Sequence, residues 1–192
     1  MNKEITTKWN TRYSTAQGEA TACYALREFT HLLPKEGTAL DLACGRGGNA
    51  LLLARHGLQT QAWDLSSVAI EQLQTIAEEQ ELNIQASVHD VEQEPLPANS
   101  FDVIVVSYFL ERTLAAGLMS ALKPDGLLFY ETFISEKPEG VGPSNPDYLL
   151  GENELLRLFS DLHVLAYREE GLIGDVEQGQ RNVAILVAQK RI

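Results

Sequence analysis

One stretch sets the architecture of this chain: Thr38-Ala39-Leu40-Asp41-Leu42-Ala43-Cys44-Gly45-Arg46-Gly47-Gly48-Asn49. An apolar strand that ends in an acid is followed by a glycine-rich turn, and a helix is predicted over 49–55, closed by His56-Gly57. Glycine lets another molecule come close to the backbone, and the first turn of a helix leaves its N–H groups without intrahelical partners. The stretch therefore predicts a place where a ligand meets the backbone.

Two kinds of ligand fit this turn. Gly45, Gly47 and Ala50 match a dinucleotide fingerprint, and Asp64 follows at the interval of a ribose-binding acid, which would indicate an NAD(P)-dependent oxidoreductase. Asp41 favours a different ligand, because a carboxylate beside a helix N-terminus opposes a pyrophosphate and suits a cation. A tight turn that binds nothing is also compatible with the glycines alone.

The pattern from Leu40 to Gly47 resembles the first motif of the class I methyltransferases that use S-adenosylmethionine. The usual form of that motif is acid-x-Gly-x-Gly-x-Gly, and Ala43 stands here in place of the first glycine. S-adenosylmethionine carries a sulfonium, an ammonium and a ribose diol but no phosphate, so an acid at the strand end suits it. The resemblance implies S-adenosyl-L-methionine as the cofactor and methyl transfer as the activity.

The resemblance also implies which residues hold that cofactor. In the family, an acid at the end of the second strand binds both ribose hydroxyls, and Asp64 has this position, although it is also suited to cap the next helix. The acid near the adenine amine and the next backbone N–H correspond to Asp90 and Val91. The predicted cofactor-binding residues are Trp9, Asp41, Ala43, Cys44, Gly45, Asn49, Asp64, Leu65, Asp90, Val91 and Ser107.

The segment Lys8-Trp9-Asn10-Thr11-Arg12-Tyr13 resembles the W-N/D-x-R-Y box at the start of small tellurite-resistance-type and thiopurine-type methyltransferases. One interpretation is a flap over the cofactor, where an aromatic ring would attract the sulfonium. The other is an arm that packs Trp9 on the domain for stability. Helical spacing of apolar residues follows over 22–33, so residues 1–33 are interpreted as an N-terminal arm and helix.

Strands that alternate with helices predict one α/β domain over residues 1–192. The apolar run 101–107 is typical of a strand buried on both faces of a parallel sheet, and 123–126 is predicted to be a turn. The resemblance implies a Rossmann-like, seven-stranded, mainly parallel sheet with an antiparallel last strand and helices on both faces. The other predicted strands are 59–64, 84–88, 127–133, 162–168 and 183–188, with helices at 68–79, 114–122 and 152–159.

The methyl acceptor is expected beyond the carboxyl ends of the strands, where open α/β sheets bind ligands. The loop 135–150 is interpreted as a substrate lid with Asn145 and Tyr148 as candidates, or as a plain insertion. The acceptor would be a small molecule with a thiol, a chalcogen oxyanion or a hydroxyl, and catalysis would rest mainly on proximity and orientation. A non-catalytic module that binds S-adenosylmethionine is the other alternative. No catalytic residue is assigned; the acceptor-side candidates are Arg12, Tyr13, Tyr108 and Arg181.

The charge and the residue composition narrow the classes of partner that this chain is expected to bind. A formal net charge of −12 argues against non-specific binding to nucleic acid or to an anionic membrane. The two cysteines, Cys23 and Cys44, form neither a disulfide framework nor the spacing of a metal site. No apolar run has the length of a membrane span and no signal peptide is evident. A cytoplasmic protein with a small-molecule substrate is expected, and its oligomeric state stays open.

Overall fold

The computed structural model describes residues 3–191, and the outermost ends of the predicted domain, residues 1, 2 and 192, lie outside them. Strands and helices alternate through most of the chain. The strands are β1 (Thr38–Leu42), β2 (Gln59–Asp64), β3 (Ile84–Val88), β4 (Phe101–Ser107), β5 (Leu122–Phe133), β6 (His163–Glu169) and β7 (Val183–Gln189). The α-helices are α1 (Lys3–Ser14), α2 (Tyr24–Glu28), α3 (Gly48–Arg55), α4 (Ser67–Glu79), α5 (Ala115–Ala121) and α6 (Glu154–Leu158).

All seven strands form one sheet in the order β3-β2-β1-β4-β5-β7-β6. The strands β1 to β5 are parallel, and β7 is antiparallel to both β5 and β6. This confirms the predicted Rossmann-like sheet with an antiparallel last strand. The carboxyl ends of β1 to β5 therefore meet at one edge, and β7 begins at that same edge because Val183 pairs with Phe133.

The sheet is buried on both faces. Along β4, Ile104 and Val106 point into one apolar cluster, and Val103 and Val105 point into another on the opposite face. Side chains alternate between the two faces of a strand, so a continuous apolar run is what two covered faces require. Each such side chain contributes about 1.5–3 kcal/mol on full burial, which makes β4 a firm support for the residues that follow it.

Three local predictions needed correction. The N-terminal arm forms the helix α1, and the helix predicted over 22–33 is the short α2 followed by a 3₁₀ turn at Thr30–Leu32. Within that turn the Thr30 hydroxyl donates to the Leu26 carbonyl, which competes with the regular helical pattern. The predicted turn at 123–126 lies inside β5 as an irregularity of the strand, with Asp125 at φ +62°.

No helix within residues 3–191 combines the length and the apolar character needed to cross a membrane.

Candidate functional site

The turn between β1 and α3 is held tightly against β2. The Cys44 N–H donates to the Trp63 carbonyl at 2.9 Å, and the Gly47 N–H donates to the Cys44 carbonyl at 2.9 Å. Ala43, Gly45 and Gly47 have φ values of +54°, +53° and +78°. Glycine accepts this left-handed backbone without cost, whereas alanine does not. The turn is therefore compact and is strained at Ala43.

Asp41 lies beneath the turn and is fully buried. Its carboxylate accepts hydrogen bonds from the Ala50 N–H at 3.0 Å and from Asn49 Nδ2 at 3.2 Å. Burial raises the pKa of Asp41 to about 7, against the lowering effect of these two hydrogen bonds. Since the side chain has no exposed surface, Asp41 acts on the site through the turn and the start of α3.

Asn49 joins the ends of three segments. Its Nδ2 also donates to Ser107 Oγ at 2.9 Å, and its Oδ1 accepts from the Cys23 N–H at 2.9 Å. The tip of β1, the tip of β4 and the entry to α2 are thus fixed by one buried amide. The structure therefore brings together Asp41, Asn49 and Ser107, as the sequence predicts. Burial raises the pKa of both cysteine thiols, Cys23 and Cys44, which indicates packing residues.

Asp64, at the end of β2, reaches across to the turn. One carboxylate oxygen accepts from the Gly45 N–H at 2.7 Å and the other accepts from the Ser66 N–H at 2.8 Å. Burial raises the pKa of Asp64, and the backbone hydrogen bonds counteract this shift. A carboxylate offers about four acceptor positions, so positions remain for a ligand. Leu65, the next residue, is half-buried.

The helix α1 covers the glycine turn. A Cβ at Gly45 would lie 2.9 Å from Tyr13 Oη, so the tyrosine ring occupies the space directly above this glycine. Trp9 stacks on Tyr13 with ring centroids 5.6 Å apart, and the Arg12 guanidinium lies 5.4 Å from the Trp9 ring. None of the residues of α1 is buried. Their placement over the turn fits a flap, which stays a prediction.

Two polar contacts fasten α1 to α4. Ser66 Oγ donates to Asn10 Oδ1 at 2.6 Å, and Gln72 Nε2 donates to the Tyr13 carbonyl at 3.1 Å. Burial, together with the charge of Asp64, raises the pKa of Tyr13 well above its usual value. The Tyr13 hydroxyl is therefore neutral across the physiological range.

The segment after β3 combines a buried apolar residue, Val91, with the half-buried polar residues His89 and Asp90. The Asp90 N–H donates to Glu94 Oε1 at 3.1 Å, and the Val91 side chain is buried in the core, so Val91 offers only its backbone to a ligand. His89 stacks on Trp63 with ring centroids 4.3 Å apart, and its Nδ1 lies 2.6 Å from Glu94 Oε2. The adenine role assigned to Asp90 and Val91 stays a prediction.

A buried acid that the sequence did not single out, Glu131 of β5, lies beside the end of β4, where it pairs with Ser107. Tyr108 follows β4 with φ +55°, and its hydroxyl donates to Glu131 Oε1 at 2.8 Å. Glu131 Oε2 accepts from the Ala25 N–H at 2.7 Å, at the start of α2. Burial and the Glu131 charge raise the pKa of Tyr108 above its usual range. The feature of the sequence that could have revealed Glu131 is the presence of an acid within a mainly apolar strand.

The loop 135–150 is anchored by Arg112, which the sequence does not single out. The Arg112 guanidinium pairs with Glu154 at 2.5 Å and donates to the carbonyls of Asp147 and Leu149, each at 3.0 Å. Asn145 Oδ1 accepts from the Asp147 N–H at 3.1 Å, which caps a short 3₁₀ turn at Pro146–Tyr148. The candidates Asn145 and Tyr148 thus lie on a fastened loop, and its role as a lid stays a prediction.

Arg181 shapes the loop between β6 and β7. Its guanidinium donates to the carbonyls of Ile173 at 2.6 Å and Asp175 at 2.7 Å, and lies 3.6 Å from Glu170 Oε2. These contacts fit the open alternative that Arg181 balances neighbouring acids. Within residues 3–191, no group of three or more His, Cys, Asp or Glu side chains is arranged to hold a metal ion.

Comparison with known proteins finds a matching domain family and relatives that share part of the chain. Residues 39–126 match the model of a methyltransferase domain family. Over 98 residues the chain is 33% identical to a ubiquinone biosynthesis O-methyltransferase of Coxiella burnetii, covering 48% of this chain and 42% of that protein. Over 161 residues it is 28% identical to hemagglutinin 1 of Eikenella corrodens, covering 79% and 52%. The chain therefore spans about half the length of these curated relatives.

Among solved structures, TehB from Haemophilus influenzae has the same fold. The TM-score is 0.72 at 22% identity, and the match covers 97% of this chain and 67% of TehB.

Proposed function

We propose that this chain, whose residues 39–126 match a methyltransferase domain family, is a class I S-adenosylmethionine-dependent methyltransferase that transfers a methyl group from S-adenosylmethionine to a small-molecule acceptor. The observation that carries the proposal is the contact between Asp64 and the Gly45 N–H, which joins the tips of β1 and β2. This contact puts an acid with remaining acceptor positions beside a glycine backbone that a ligand could approach once the Tyr13 ring above Gly45 moves aside.

The described residues fit the proposed cofactor. The turn presents no side chain at Gly45, and the acid Asp64 is close to where a sulfonium and an ammonium would lie. Asp64 would accept the ribose hydroxyls, and Asp41 would keep the turn in shape. Trp9 and Tyr13 would cover the bound molecule from α1, since aromatic rings attract cations.

The chemistry asks little of the protein beyond placement. When bound, S-adenosylmethionine supplies a methyl group that is already activated by its positive sulfur. A lone pair of the acceptor forms the new bond to the methyl carbon while the carbon–sulfur bond breaks and its electron pair stays on sulfur. Any acceptor proton leaves to solvent or to a nearby base. The chain holds the partners in line, which is catalysis by proximity and orientation.

The acceptor itself is proposed only as a class. A thiolate, a chalcogen oxyanion or an easily ionised hydroxyl is nucleophilic enough to react without a dedicated base, and no residue of the site is assigned as one. The edge of the sheet beside Ser107 and Tyr108 is where such an acceptor would meet the methyl group, because it adjoins the Asn49 amide that ties β4 to the cofactor turn.

Calorimetric titration with S-adenosylmethionine tests the proposal. Asp64→Asn should weaken binding by about 10- to 100-fold, since losing a charged hydrogen-bond partner costs about 1.5–3 kcal/mol. Asp161→Asn, at an exposed acid far from the turn, is the matched control and should bind like the wild type. Circular dichroism must show that both variants are folded.

Equal affinities for the wild type and Asp64→Asn, or tighter binding of NADH than of S-adenosylmethionine, would overturn the proposal. Turnover is measured separately as S-adenosylhomocysteine formed with thiol, hydroxyl and oxyanion acceptors. Tight cofactor binding without turnover on any of them would indicate a non-catalytic binding module instead.

A further inference from the structure

Apolar side chains are exposed mainly at one end of the molecule. Nine large apolar or aromatic side chains of the described residues are notably exposed, and six of them belong to Tyr108 or to the loops 135–150 and 169–182. We call these six the acceptor face. Their exposed fractions run from 39% to 77%, and the members are Tyr108, Val141, Tyr148, Leu172, Ile173 and Val176.

Contacts between the two loops bring the acceptor face together. The Tyr108 ring lies on Phe133 with centroids 5.2 Å apart, and a Cβ at Gly142 would come within 2.6 Å of the Phe133 ring. A Cβ at Gly171 would lie 3.4 Å from Glu136, so the second loop meets the first. Both loops therefore border the end of β5, next to the proposed cofactor site.

The charges around this face are unfavourable for an anion. The loops 135–150 and 169–182 together carry seven acidic and two basic residues. Of the two bases, Arg181 is engaged by the carbonyls of its own loop, and Lys137 lies between the acids Glu136 and Glu139 in the sequence.

Two neighbouring arginines are also ion-paired, and Arg27, whose charge acts on Tyr108, donates to the Ala22 carbonyl at 3.0 Å. Arg112 pairs with Glu154, and Arg168 pairs with Glu170. A negatively charged ligand would thus meet a surplus of carboxylates, whereas a neutral or positive one would not.

Resting on the proposed function, we propose that the methyl acceptor is an organic molecule with an apolar body, neutral or positively charged where it meets these loops. An oxyanion or a carboxylate is thereby excluded as the natural acceptor class. Small-molecule sites are lined mainly by apolar and aromatic groups with a few polar ones that fix orientation. The acceptor face supplies the apolar part, and the position of Tyr108 beside Ser107 connects it to the cofactor.

Three phenols of similar size test the charge preference. They are 4-propylphenol, tyramine and 3-(4-hydroxyphenyl)propanoate, which are neutral, cationic and anionic respectively. Their binding to the full chain, saturated with S-adenosylhomocysteine, is measured by ligand-observed NMR titration. The neutral and cationic phenols should bind at least about tenfold more tightly than the anionic one, a difference of about 1.4 kcal/mol.

Single substitutions on the acceptor face locate the site. Leu172→Ser and Ile173→Ser should each weaken 4-propylphenol binding by about threefold or more, because each removes apolar contact. Val164→Ser is the matched control, since Val164 is also exposed but lies at the opposite end of β6. The affinity for S-adenosylmethionine should be unchanged in all three variants.

The results that would overturn the acceptor class differ from those that would overturn the proposed function. Failure to bind S-adenosylmethionine would overturn the methyl-transfer assignment, whatever the phenols do. With cofactor binding intact, tighter or equal binding of the propanoate, binding of none of the phenols, or turnover with selenite or tellurite would overturn only the acceptor class. Sedimentation also tests whether a second copy of the chain covers the acceptor face. If the wild type sediments as a dimer and Ile173→Ser as a monomer, a second copy covers the face, and the proposed acceptor class is overturned.

Discussion

Ala43 occupies a backbone conformation that an L-residue adopts at a cost. Its φ of +54° lies in the left-handed region, where a side chain costs about 1–2 kcal/mol relative to glycine. By size alone, alanine is a small change from the glycine of the family motif, because a methyl group takes little space. The strain at Ala43 comes from the backbone angle and not from the space that the methyl group needs. Such strain persists where surrounding contacts enforce it, and here the Cys44 and Gly47 hydrogen bonds do so.

Replacing Ala43 by glycine should therefore stabilise the protein. The released strain, less the extra entropy of glycine in the unfolded chain, leaves a gain of about 0.5–1 kcal/mol. Urea unfolding measures it. Ala54→Gly, inside α3, is the matched control and should lose about 1 kcal/mol. A loss of stability in both variants would show that Ala43 is not strained.

Asp41 should make stability depend on pH. Its pKa rises from an ordinary 3.8 to about 7 on folding, so between these values the unfolded chain is ionised while the folded chain keeps the proton. The unfolding free energy contributed by this group therefore falls as the pH rises from about 4 to about 7 and is constant above.

Asp41→Asn cannot titrate and should remove that part of the pH dependence, although the loss of the charged acceptor lowers stability overall. Urea unfolding of both proteins at about pH 5 and about pH 8 gives the comparison. The wild type should lose more stability than the variant over this interval. Equal losses would mean that the buried carboxyl is not raised.

The residues that sequence could place are those whose partners are near in the chain. Asp41 and Asn49 belong to one motif, and its spacing alone puts them together. Glu131 and Arg112 escaped notice because their partners come from distant segments. The Glu131 carboxylate joins Tyr108 to Ala25, and Arg112 reaches the loop 135–150. Glu131 stands within a mainly apolar strand, which is a signal of burial but names no partner, whereas nothing in the local pattern distinguishes Arg112 from a solvated charge.

The helix α1 is the element that the sequence described least well. Its polar composition predicted an arm, because no apolar stripe indicated a helix that packs on the core. The helix forms nevertheless, has no buried residue, and is attached through Asn10, Tyr13 and a few polar contacts. An element with few buried contacts opens at low free energy, as a cover over a ligand site must.

Ligand binding should protect α1 from hydrogen exchange. S-adenosylmethionine between Asp64 and the Tyr13 ring would add contacts that α1 lacks without it, so its amide exchange should slow several-fold. Exchange mass spectrometry with and without the cofactor measures this, with α6 as the control element on the far side of the loops. Unchanged exchange in α1, or faster exchange, would argue for a static arm.

The sheet as a whole explains why the site forms where it does. The carboxyl ends of β1, β2, β4 and β5 share one edge, and this edge gathers Asp41, Asp64, Ser107 and Glu131 from separate parts of the chain. The mainly parallel, seven-stranded sheet with its antiparallel last strand followed from the alternation of strands and helices together with the family resemblance. The loops that follow β5 and β6 did not, because their conformations depend on contacts with each other. The placement of Asp41 and Asp64 at neighbouring strand tips was therefore predictable, and the conformation of the loops after β5 and β6 was not.

Binding at this edge should stabilise the whole domain, since the proposed ligand would contact two strand tips, the turn and α1 at once. At a free concentration 100 times the dissociation constant, a ligand that binds only the folded state adds about 2.7 kcal/mol. For a chain of 192 residues this corresponds to a rise in the melting temperature of about 5–10 °C. Differential scanning calorimetry should show it for S-adenosylmethionine, a smaller rise for Asp64→Asn at the same concentration, and none for NADH. A rise with NADH alone would move the site to the dinucleotide class, because the same turn would then be binding a pyrophosphate despite its two acids.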